Sequence, residues 1–233
     1  MSFFTSDWLL TFDMNVYKLV EHLWLQNPAA ARIMDTFWTI ITHLGDDGIF
    51  LIIVGLILCI FKKTRKLGFT ALVALAFASL MNSVILKDLF DRARPYIMDQ
   101  SNWARVATDG WMYSMPFENL KETSVSFPSG HTASSFAFAM GVLYIDKKKG
   151  IIPLILAFLI GFSRIYIHVH YPSDVIGGMI TGVVFGLIAC IITYKVFGKL
   201  IDKINAKFNY KIFPLDEKEE IPVEDVTEIK EEY

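Results

Sequence analysis

The chain has 233 residues, of which 54% are hydrophobic and 20% are charged, and its formal net charge is −2. A mean hydropathy of +0.43 is too high for an ordinary soluble domain of this size. The small net charge gives no basic field for nucleic acid, so we expect no nucleic-acid partner. The two cysteines, Cys59 and Cys190, both lie in apolar runs and show no disulfide or metal-binding spacing.

Six apolar runs dominate the chain and predict six transmembrane helices. They cover residues 29–44, 48–61, 69–86, 132–145, 151–162 with an extension toward 167, and 175–197. Several runs are shorter than the roughly 20 residues that a spanning helix needs, but flanking Lys, Arg, Trp and Tyr side chains extend such helices toward the interface. A soluble helical bundle is the alternative, and it fits poorly because the third and sixth runs are apolar on all sides. The predicted fold class is therefore an all-α integral membrane protein.

The two ends of the chain differ from this six-helix core. Residues 8–26 mix Trp, Leu, Phe and Val with charged side chains, a pattern typical of an interfacial amphipathic helix. Residues 216–233 are rich in Glu, Asp and Lys and predict a disordered tail. We therefore expect three parts: an amphipathic helix in residues 1–28, a membrane core in 29–200 and a charged cytoplasmic tail in 201–233.

Basic residues predict the orientation of the six helices. Lys and Arg cluster in residues 62–66, in residues 146–150 and after the sixth run, all on one side of a six-helix arrangement. The positive-inside rule makes that side the cytoplasm and places both termini there. The 45–48 turn, the long 91–126 segment and the 168–173 turn then face away from the cytoplasm. We expect a multi-pass protein of the cytoplasmic membrane.

Three short phrases at the ends of apolar runs carry most of the polar and ionisable groups suited to binding phosphate. They read KDLFDRARP (87–95), FPSGHT (127–132) and SRIYIHVHYPSD (163–174). Ionisable groups at the edge of a membrane cost free energy, so they indicate function. Because all three phrases fall on the extracytoplasmic side, they predict one active site assembled from three helix ends.

The first phrase places Lys87 and Arg94 seven residues apart. If the third helix continues through both, they share one face two turns apart. Two cations on one face, with Pro95 ending the helix, form a clamp for a phosphate dianion. The alternative is that both residues anchor the helix among lipid headgroups.

The second phrase combines a helix start with a histidine. Free backbone N–H groups at a helix N-terminus bind phosphate, and Gly130 allows a close approach. Ser129 either caps the helix or donates its hydroxyl to the ligand. His131 projects from the first turn and is suited to protonate a leaving alkoxide. Taken alone, the phrase also fits an N-capped helix with an incidental histidine.

The third phrase adds a cation, Arg164, and a histidine–aspartate pair. Asp174 follows His170 by four residues, close enough to orient one imidazole nitrogen and make the other a better nucleophile. His168 and His170 also form an H-x-H pair, an alternative pattern for a metal. The neighbouring Arg and Lys residues favour an anion over a divalent cation, so we expect no metal.

Together the three phrases resemble the signature of the membrane type 2 phosphatidic acid phosphatase family, the lipid phosphate phosphatases. That signature is K-x-x-x-x-x-x-R-P, then P-S-G-H, then S-R-x-x-x-x-x-H-x-x-x-D, and every spacing is kept here. The resemblance covers about residues 29–197. It is strongest for compact bacterial members of the phosphatidylglycerophosphatase B and undecaprenyl pyrophosphate phosphatase types, to which the phrase ITHLGDDG (41–48) is also similar.

The resemblance implies a six-helix membrane core that hydrolyses a phosphomonoester or pyrophosphate of a membrane lipid through a phosphohistidine, without metal or cofactor. It implies that His170 attacks phosphorus, that Asp174 orients and charge-stabilises it, and that His131 protonates the leaving oxygen and later activates water. The groups that it implies for holding the phosphoryl oxygens are Lys87, Arg94, Ser129, Gly130 and Arg164.

Two other functions are compatible with parts of this pattern. Vanadium-dependent haloperoxidases have a similar signature, but they are soluble, and the six apolar runs oppose that class. A non-enzymatic lipid-binding or transport protein has no need of His131, His170 and Asp174 together. The sequence leaves open the oligomeric state and the substrate, with phosphatidic acid, phosphatidylglycerol phosphate, diacylglycerol pyrophosphate and undecaprenyl pyrophosphate as candidates.

Overall fold

In the computed structural model of the chain, the described residues are 4, 6–24, 28–90, 92–95 and 125–197, except for the side chains of 23–30 and 196–197. The predicted tail (201–233) and most of the predicted outer loop (91–126) lie outside them. Residues Met1–Ile191 form one compact unit and Ile192–Tyr233 another, whose described residues are 192–197, with the π-helical turn Thr193–Phe197.

All regular structure in the described part of the chain is helical, which confirms the predicted all-α class. The longer helices are α1 (Asp7–Trp24), α2 (Pro28–His43), α3 (Ile49–Ile60), α4 (Arg65–Met81), α5 (Gly130–Ile145), α6 (Ile151–Tyr166) and α7 (Pro172–Ile192). A short 3₁₀ turn, Asp46–Gly48, joins α2 to α3.

Two helices are long and apolar enough to cross a membrane, Arg65–Leu89 and Pro172–Lys195, and they coincide with the third and sixth predicted spans. A third candidate span is the pair Ala31–His43 and Asp46–Ile60, which is bent by 46° at the turn between its helices. Helix α6 is apolar but shorter. The described residues therefore support two or three spans, and the number six stays a prediction.

Helix α4 ends before it reaches Arg94. It passes into a π-helical turn, Asn82–Leu86, closes with Lys87–Leu89, and gives way to an extended Phe90 at φ −121° and ψ 93°. The prediction that Lys87 and Arg94 share one helical face is therefore wrong. A helix running through Pro95 would bring its ring against the carbonyl group of residue 91 and would hold Arg94 in the helical conformation that a following proline disfavours, so the chain leaves the helix before residue 91.

Glycines bring the starts of α5 and α7 together. A Cβ atom on Gly178 would lie 2.6 Å from the carbonyl oxygen of Ser129, and one on Gly182 would lie 2.5 Å from that of Ala133. Small residues at four-residue spacing allow this close backbone approach, as in other membrane helix pairs. The Ser129 N–H consequently donates a hydrogen bond to the carbonyl oxygen of Asp174 at 3.0 Å, which joins two of the predicted phrases directly.

Helix α1 coincides with the predicted amphipathic segment and packs one face against the core. Tyr17 and Val20 are buried in a cluster that also contains Trp38 of α2 and Ile160 of α6, whereas Trp8 is 62% exposed. The side chains that α1 buries are not all apolar, because Asp13 is also fully buried. Its placement at the membrane interface stays a prediction.

Candidate active site

The candidate nucleophile His170 lies in the turn between α6 and α7 and is 2% exposed. Its Nδ1 atom is 3.6 Å from Asp174 Oδ2, so the two side chains are brought together at a distance slightly longer than a hydrogen bond. Ser126 lies between them: its Oγ is 3.4 Å from Nδ1 and donates to Asp174 Oδ2 at 2.5 Å. Because Nδ1 faces these groups, Nε2 is the ring nitrogen available for attack.

Backbone contacts fix the turn that carries His170. The Tyr17 hydroxyl of α1 donates to the carbonyl oxygen of His170 at 2.8 Å. The His170 N–H donates to the carbonyl oxygen of Arg164 at 3.3 Å.

Burial, reinforced by Arg94 and Arg164, lowers the pKa of His170 to about 3 against the opposing effect of Asp174. The ring is therefore neutral at physiological pH, as a nucleophile must be.

Asp174 is held from its other side by a buried charge network. Arg92 donates to Asp174 Oδ1 through Nη1 at 2.5 Å and to Asp13 Oδ2 through Nη2 at 2.7 Å. Asp13 also accepts hydrogen bonds from the backbone N–H of Ser173 at 2.8 Å and from its hydroxyl at 2.7 Å. The Arg92 guanidinium lies 3.9 Å from the centre of the Tyr171 ring. Helix α1 thus supplies Asp13, the first group in a series of contacts that runs through Arg92 and Asp174 to the candidate nucleophile.

Two of the predicted phosphate-binding cations, Arg94 and Arg164, lie near the two histidines. Arg164 donates to Thr42 Oγ1 at 2.7 Å, and Arg94 donates to the carbonyl oxygen of Val169 at 3.4 Å. Both guanidinium groups act electrostatically on His131 and on His170, so they lie near both rings. Lys87 lies close enough to Arg94 for the two charges to repel each other, although they do not share a helix.

The predicted anion-binding helix start is present. Ser129 is the N-cap residue of α5 in an extended conformation, and Gly130 begins the helix. The Ser129 hydroxyl accepts a hydrogen bond from Thr132 Oγ1 at 2.9 Å and makes no capping bond to the backbone. The N–H groups of the first helical turn have no partner inside the helix, which is the usual basis of anion binding at such a position.

His131 projects from the first turn of α5 and contacts a residue that the sequence did not single out. Its Nε2 atom is 2.9 Å from Asp46 Oδ1, in the turn between α2 and α3. The other carboxylate oxygen of Asp46 is 2.6 Å from His43 Nδ1. Burial alone would raise the pKa of Asp46, but the hydrogen bonds from His131 and His43 lower it to about 2.

The side chain of His168 has different partners from the side chain of His170. Its ring stacks on Tyr17 at 4.5 Å between centroids, and its Nδ1 donates to the carbonyl oxygen of Tyr166 at 3.0 Å. The residue has a left-handed backbone conformation, with φ at 54°. Among the described residues, no group of three His, Cys, Asp or Glu side chains is placed to hold a metal ion. His168 instead packs the turn between α6 and α7 against Tyr17 of α1.

Sequence reasoning missed several residues of this site, which are Asp13, Tyr17, Asp46, Arg92 and Ser126. Arg92 stands inside the first phrase, and Asp46 stands inside the phrase LGDDG, so both were adjacent to a recognised signal. Asp13 gave no such signal, because a charge on an amphipathic helix is ordinarily read as part of its solvated face.

Comparisons with known proteins identify the family of the chain. Residues 67–198 match the model of the PAP2 superfamily, which is more than half of the chain. An undecaprenyl-diphosphatase of Sulfolobus acidocaldarius is 27% identical over 73% of this chain and 73% of its own length. The undecaprenyl-diphosphatase BcrC of Bacillus subtilis is 38% identical over 27% of this chain and 33% of its own length.

Solved structures show the same architecture. The transmembrane PAP2 type phosphatidylglycerolphosphate phosphatase from Bacillus subtilis superposes with a TM-score of 0.57 at 25% identity, covering 83% of this chain and 90% of that one. Aquifex aeolicus LpxE gives a TM-score of 0.58 at 25% identity, covering 81% and 98%. The family resemblance drawn from the three phrases is therefore confirmed. The chain belongs to the PAP2 superfamily and is an enzyme, a membrane phosphatase.

Proposed function

We propose that the enzyme hydrolyses the terminal phosphate of a membrane lipid phosphate or pyrophosphate through a phosphohistidine on His170. The observation that carries this proposal is the arrangement of His170, whose Nδ1 faces Ser126 and Asp174 while its ring is buried and neutral. A neutral imidazole with one nitrogen held by a carboxylate presents the other nitrogen as a nucleophile.

The phosphate is held by charge and by a helix start. Lys87, Arg94 and Arg164 supply three cations, and the first turn of α5 at Ser129 and Gly130 supplies backbone N–H groups. Phosphoryl transfer requires mainly positioning and stabilisation of the charge on the equatorial oxygens. These groups provide both from the protein alone, and we propose that the reaction needs no metal.

The reaction has two steps in which bonds and protons balance. His170 Nε2 forms a bond to phosphorus as the bond from phosphorus to the leaving oxygen breaks, and His131 gives its proton to that oxygen. A water molecule then attacks the phosphohistidine, His131 takes the proton from it, and the bond from Nε2 to phosphorus breaks. Inorganic phosphate leaves, and both histidines return to their starting states.

The relatives point to two substrate classes, an isoprenoid diphosphate and phosphatidylglycerol phosphate, through the names that two of them carry. The decisive experiment measures kcat/KM of the purified protein on a panel of lipids: phosphatidic acid, phosphatidylglycerol phosphate, diacylglycerol pyrophosphate and undecaprenyl pyrophosphate. Phosphate release from at least one of them is expected. No release from any of them would exclude the proposed function.

Chelation and vanadate test the metal-independent mechanism. Activity is expected to survive excess EDTA, because protein cations replace the metal in charge stabilisation. Orthovanadate is expected to inhibit competitively, since it adopts the geometry of the transferring phosphoryl group in the same site. Loss of activity on chelation, restored by a divalent ion, would contradict this mechanism and favour the metal alternative for His168 and His170.

We also propose that the site faces away from the cytoplasm, with six spans and both termini on the cytoplasmic side. The basic segments 62–66 and 146–150 support this orientation by the positive-inside rule. The orientation implies that substrate reaches the outer leaflet before it is hydrolysed and that phosphate is released outside.

Cysteine labelling tests this orientation. The background carries Cys59→Ser and Cys190→Ala, so that no native cysteine reacts. One variant adds Asn102→Cys, at a position outside the described residues. The other adds Lys63→Cys in the exposed turn before α4. A membrane-impermeant thiol reagent is expected to label position 102 in intact cells and position 63 only after lysis. The reverse pattern would overturn the topology.

A further inference from the structure

The turn between α2 and α3 packs directly against the candidate acid, His131. A Cβ atom on Gly45 would lie 2.8 Å from His131 Cδ2 and 2.8 Å from Ile160 Cγ2, so only glycine fits there without displacing the ring. Asp47 and Gly48 then have positive φ angles of 48° and 69°. This tight turn directs the Asp46 carboxylate toward His131.

The contact determines which nitrogen of His131 is free. A carboxylate accepts hydrogen bonds, so the 2.9 Å contact with Asp46 Oδ1 requires a proton on His131 Nε2. The low pKa of Asp46, about 2, means that it stays ionised throughout the physiological range. In the neutral ring Nδ1 is therefore the unprotonated nitrogen, and in the imidazolium it carries the second, transferable proton.

We propose that Asp46 is a positioning residue for His131, which holds Nε2 so that Nδ1 exchanges the proton with the leaving oxygen and with water, and which stabilises the imidazolium. The proposal rests on the proposed function, because it gives a role to a neighbour of the acid in that reaction. It extends the site to a turn upstream of residues 67–198, the part of the chain that matches the family model.

Charges from several elements act on His131, and they work in opposite directions. Burial, Arg164 of α6 and Arg94 after α4 lower the pKa of His131, because they disfavour the positive charge of the imidazolium, whereas the hydrogen bond and the charge of Asp46 favour it. His43 of α2 reaches His131 only through Asp46, whose second oxygen it contacts at 2.6 Å. Asp46 is thus the anionic group that offsets two guanidinium groups, and its removal must shift His131 toward the neutral form.

The variant that separates charge from shape is Asp46→Asn. The asparagine carbonyl oxygen still accepts a hydrogen bond from Nε2, but the negative charge is gone. The matched control is Asp47→Asn, an exposed neighbour with the left-handed backbone that asparagine tolerates well. The readout is the pH profile of kcat/KM on two substrates, a lipid phosphate with a poor leaving group and p-nitrophenyl phosphate with a good one.

For the lipid, Asp46→Asn is expected to lower kcat/KM by about 10–100-fold, part of the roughly 10²–10⁴-fold that general acid catalysis supplies. The alkaline limb of the profile is expected to move to lower pH, because the acid loses its proton more easily. For p-nitrophenyl phosphate, whose leaving group needs no proton, the loss is expected to stay below about threefold. Asp47→Asn should match the wild type on both substrates.

Inhibition by orthovanadate reports whether the phosphate site of each variant is intact, and an unchanged inhibition constant is expected for Asp46→Asn. Equal losses on both substrates, or an unmoved alkaline limb, would overturn the role of Asp46 in proton transfer. Either of those results leaves the proposed function standing as long as the wild type releases phosphate from a lipid. If the wild type lacked that activity, the proposed function and the role of Asp46 would both be excluded.

Discussion

Replacing His170 with alanine is expected to abolish phosphate release from every substrate, activated aryl phosphates included. The substitution removes the proposed attacking nitrogen, and loss of a catalytic nucleophile typically lowers kcat by about 10⁴–10⁶-fold. The measurement is phosphate release by purified protein in detergent. His168→Asn is the matched control, because it removes a histidine two residues away at a position where φ is 54° and asparagine is tolerated. That control should keep turnover within about tenfold of the wild type.

The proposed covalent intermediate gives this prediction a direct readout. His131→Ala is expected to slow hydrolysis of the phosphohistidine, since the group that activates water is missing. With an activated, radiolabelled substrate, label is therefore expected to accumulate on His131→Ala and to be released by acid but kept in alkali. The double variant with His170→Ala should take up no label. Label on the double variant, or full activity in His170→Ala, would contradict the assignment of the nucleophile.

Much of the site could be predicted because the residues within each of the three phrases are close in sequence. His170 and Asp174 lie on either side of a helix start, and a four-residue separation brings them to within 3.6 Å. Ser129, Gly130 and His131 are consecutive residues at the start of α5. In each case the residues lie within four positions of one another at the start of a helix, so their short separation carries much of the geometry.

The missed contacts join residues that are far apart along the chain. Asp46 is 85 residues from His131, and Asp13 is 79 residues from Arg92. Helical periodicity indicates which face of a helix is polar, but it does not indicate which other helix that face contacts. The buried Asp13 on α1 was therefore indistinguishable from a solvated charge. The break after Leu89 was missed because Pro95 was taken as the end of the helix, whereas the chain is already extended at Phe90.

The second large effect is expected from substituting Arg92, which pairs with Asp13 and Asp174. Arg92 is 5% exposed, and its two partners Asp13 and Asp174 are both fully buried. Arg92→Gln leaves two buried carboxylates without their cation, and breaking such a pair typically costs about 3–5 kcal/mol. We expect a clear fall in thermal stability in detergent. Arg32→Gln on the exposed surface of α2 is the control, and it should leave the melting temperature unchanged.

Turnover should fall together with stability in Arg92→Gln, for a separate reason. Asp174 loses the partner that holds Oδ1, so its hold on the nucleophile loosens. Because an orienting carboxylate is worth up to about 10⁴-fold in a catalytic triad, we expect a loss in kcat of at least about 10²-fold, with KM little changed. A variant as active as the wild type would show that Arg92 does not act through Asp174.

Adding Asp13→Asn to Arg92→Gln separates the two effects. The double variant removes one of the two uncompensated carboxylates, so part of the lost stability is expected to return. Turnover is not expected to return, because Asp174 still lacks Arg92. If the two substitutions instead destabilise additively, the buried charges are not coupled, and α1 does not reach the nucleophile through Arg92. Recovery of stability without recovery of kcat would establish that α1, a helix outside the family match, supports the proposed nucleophile His170 through a buried arginine.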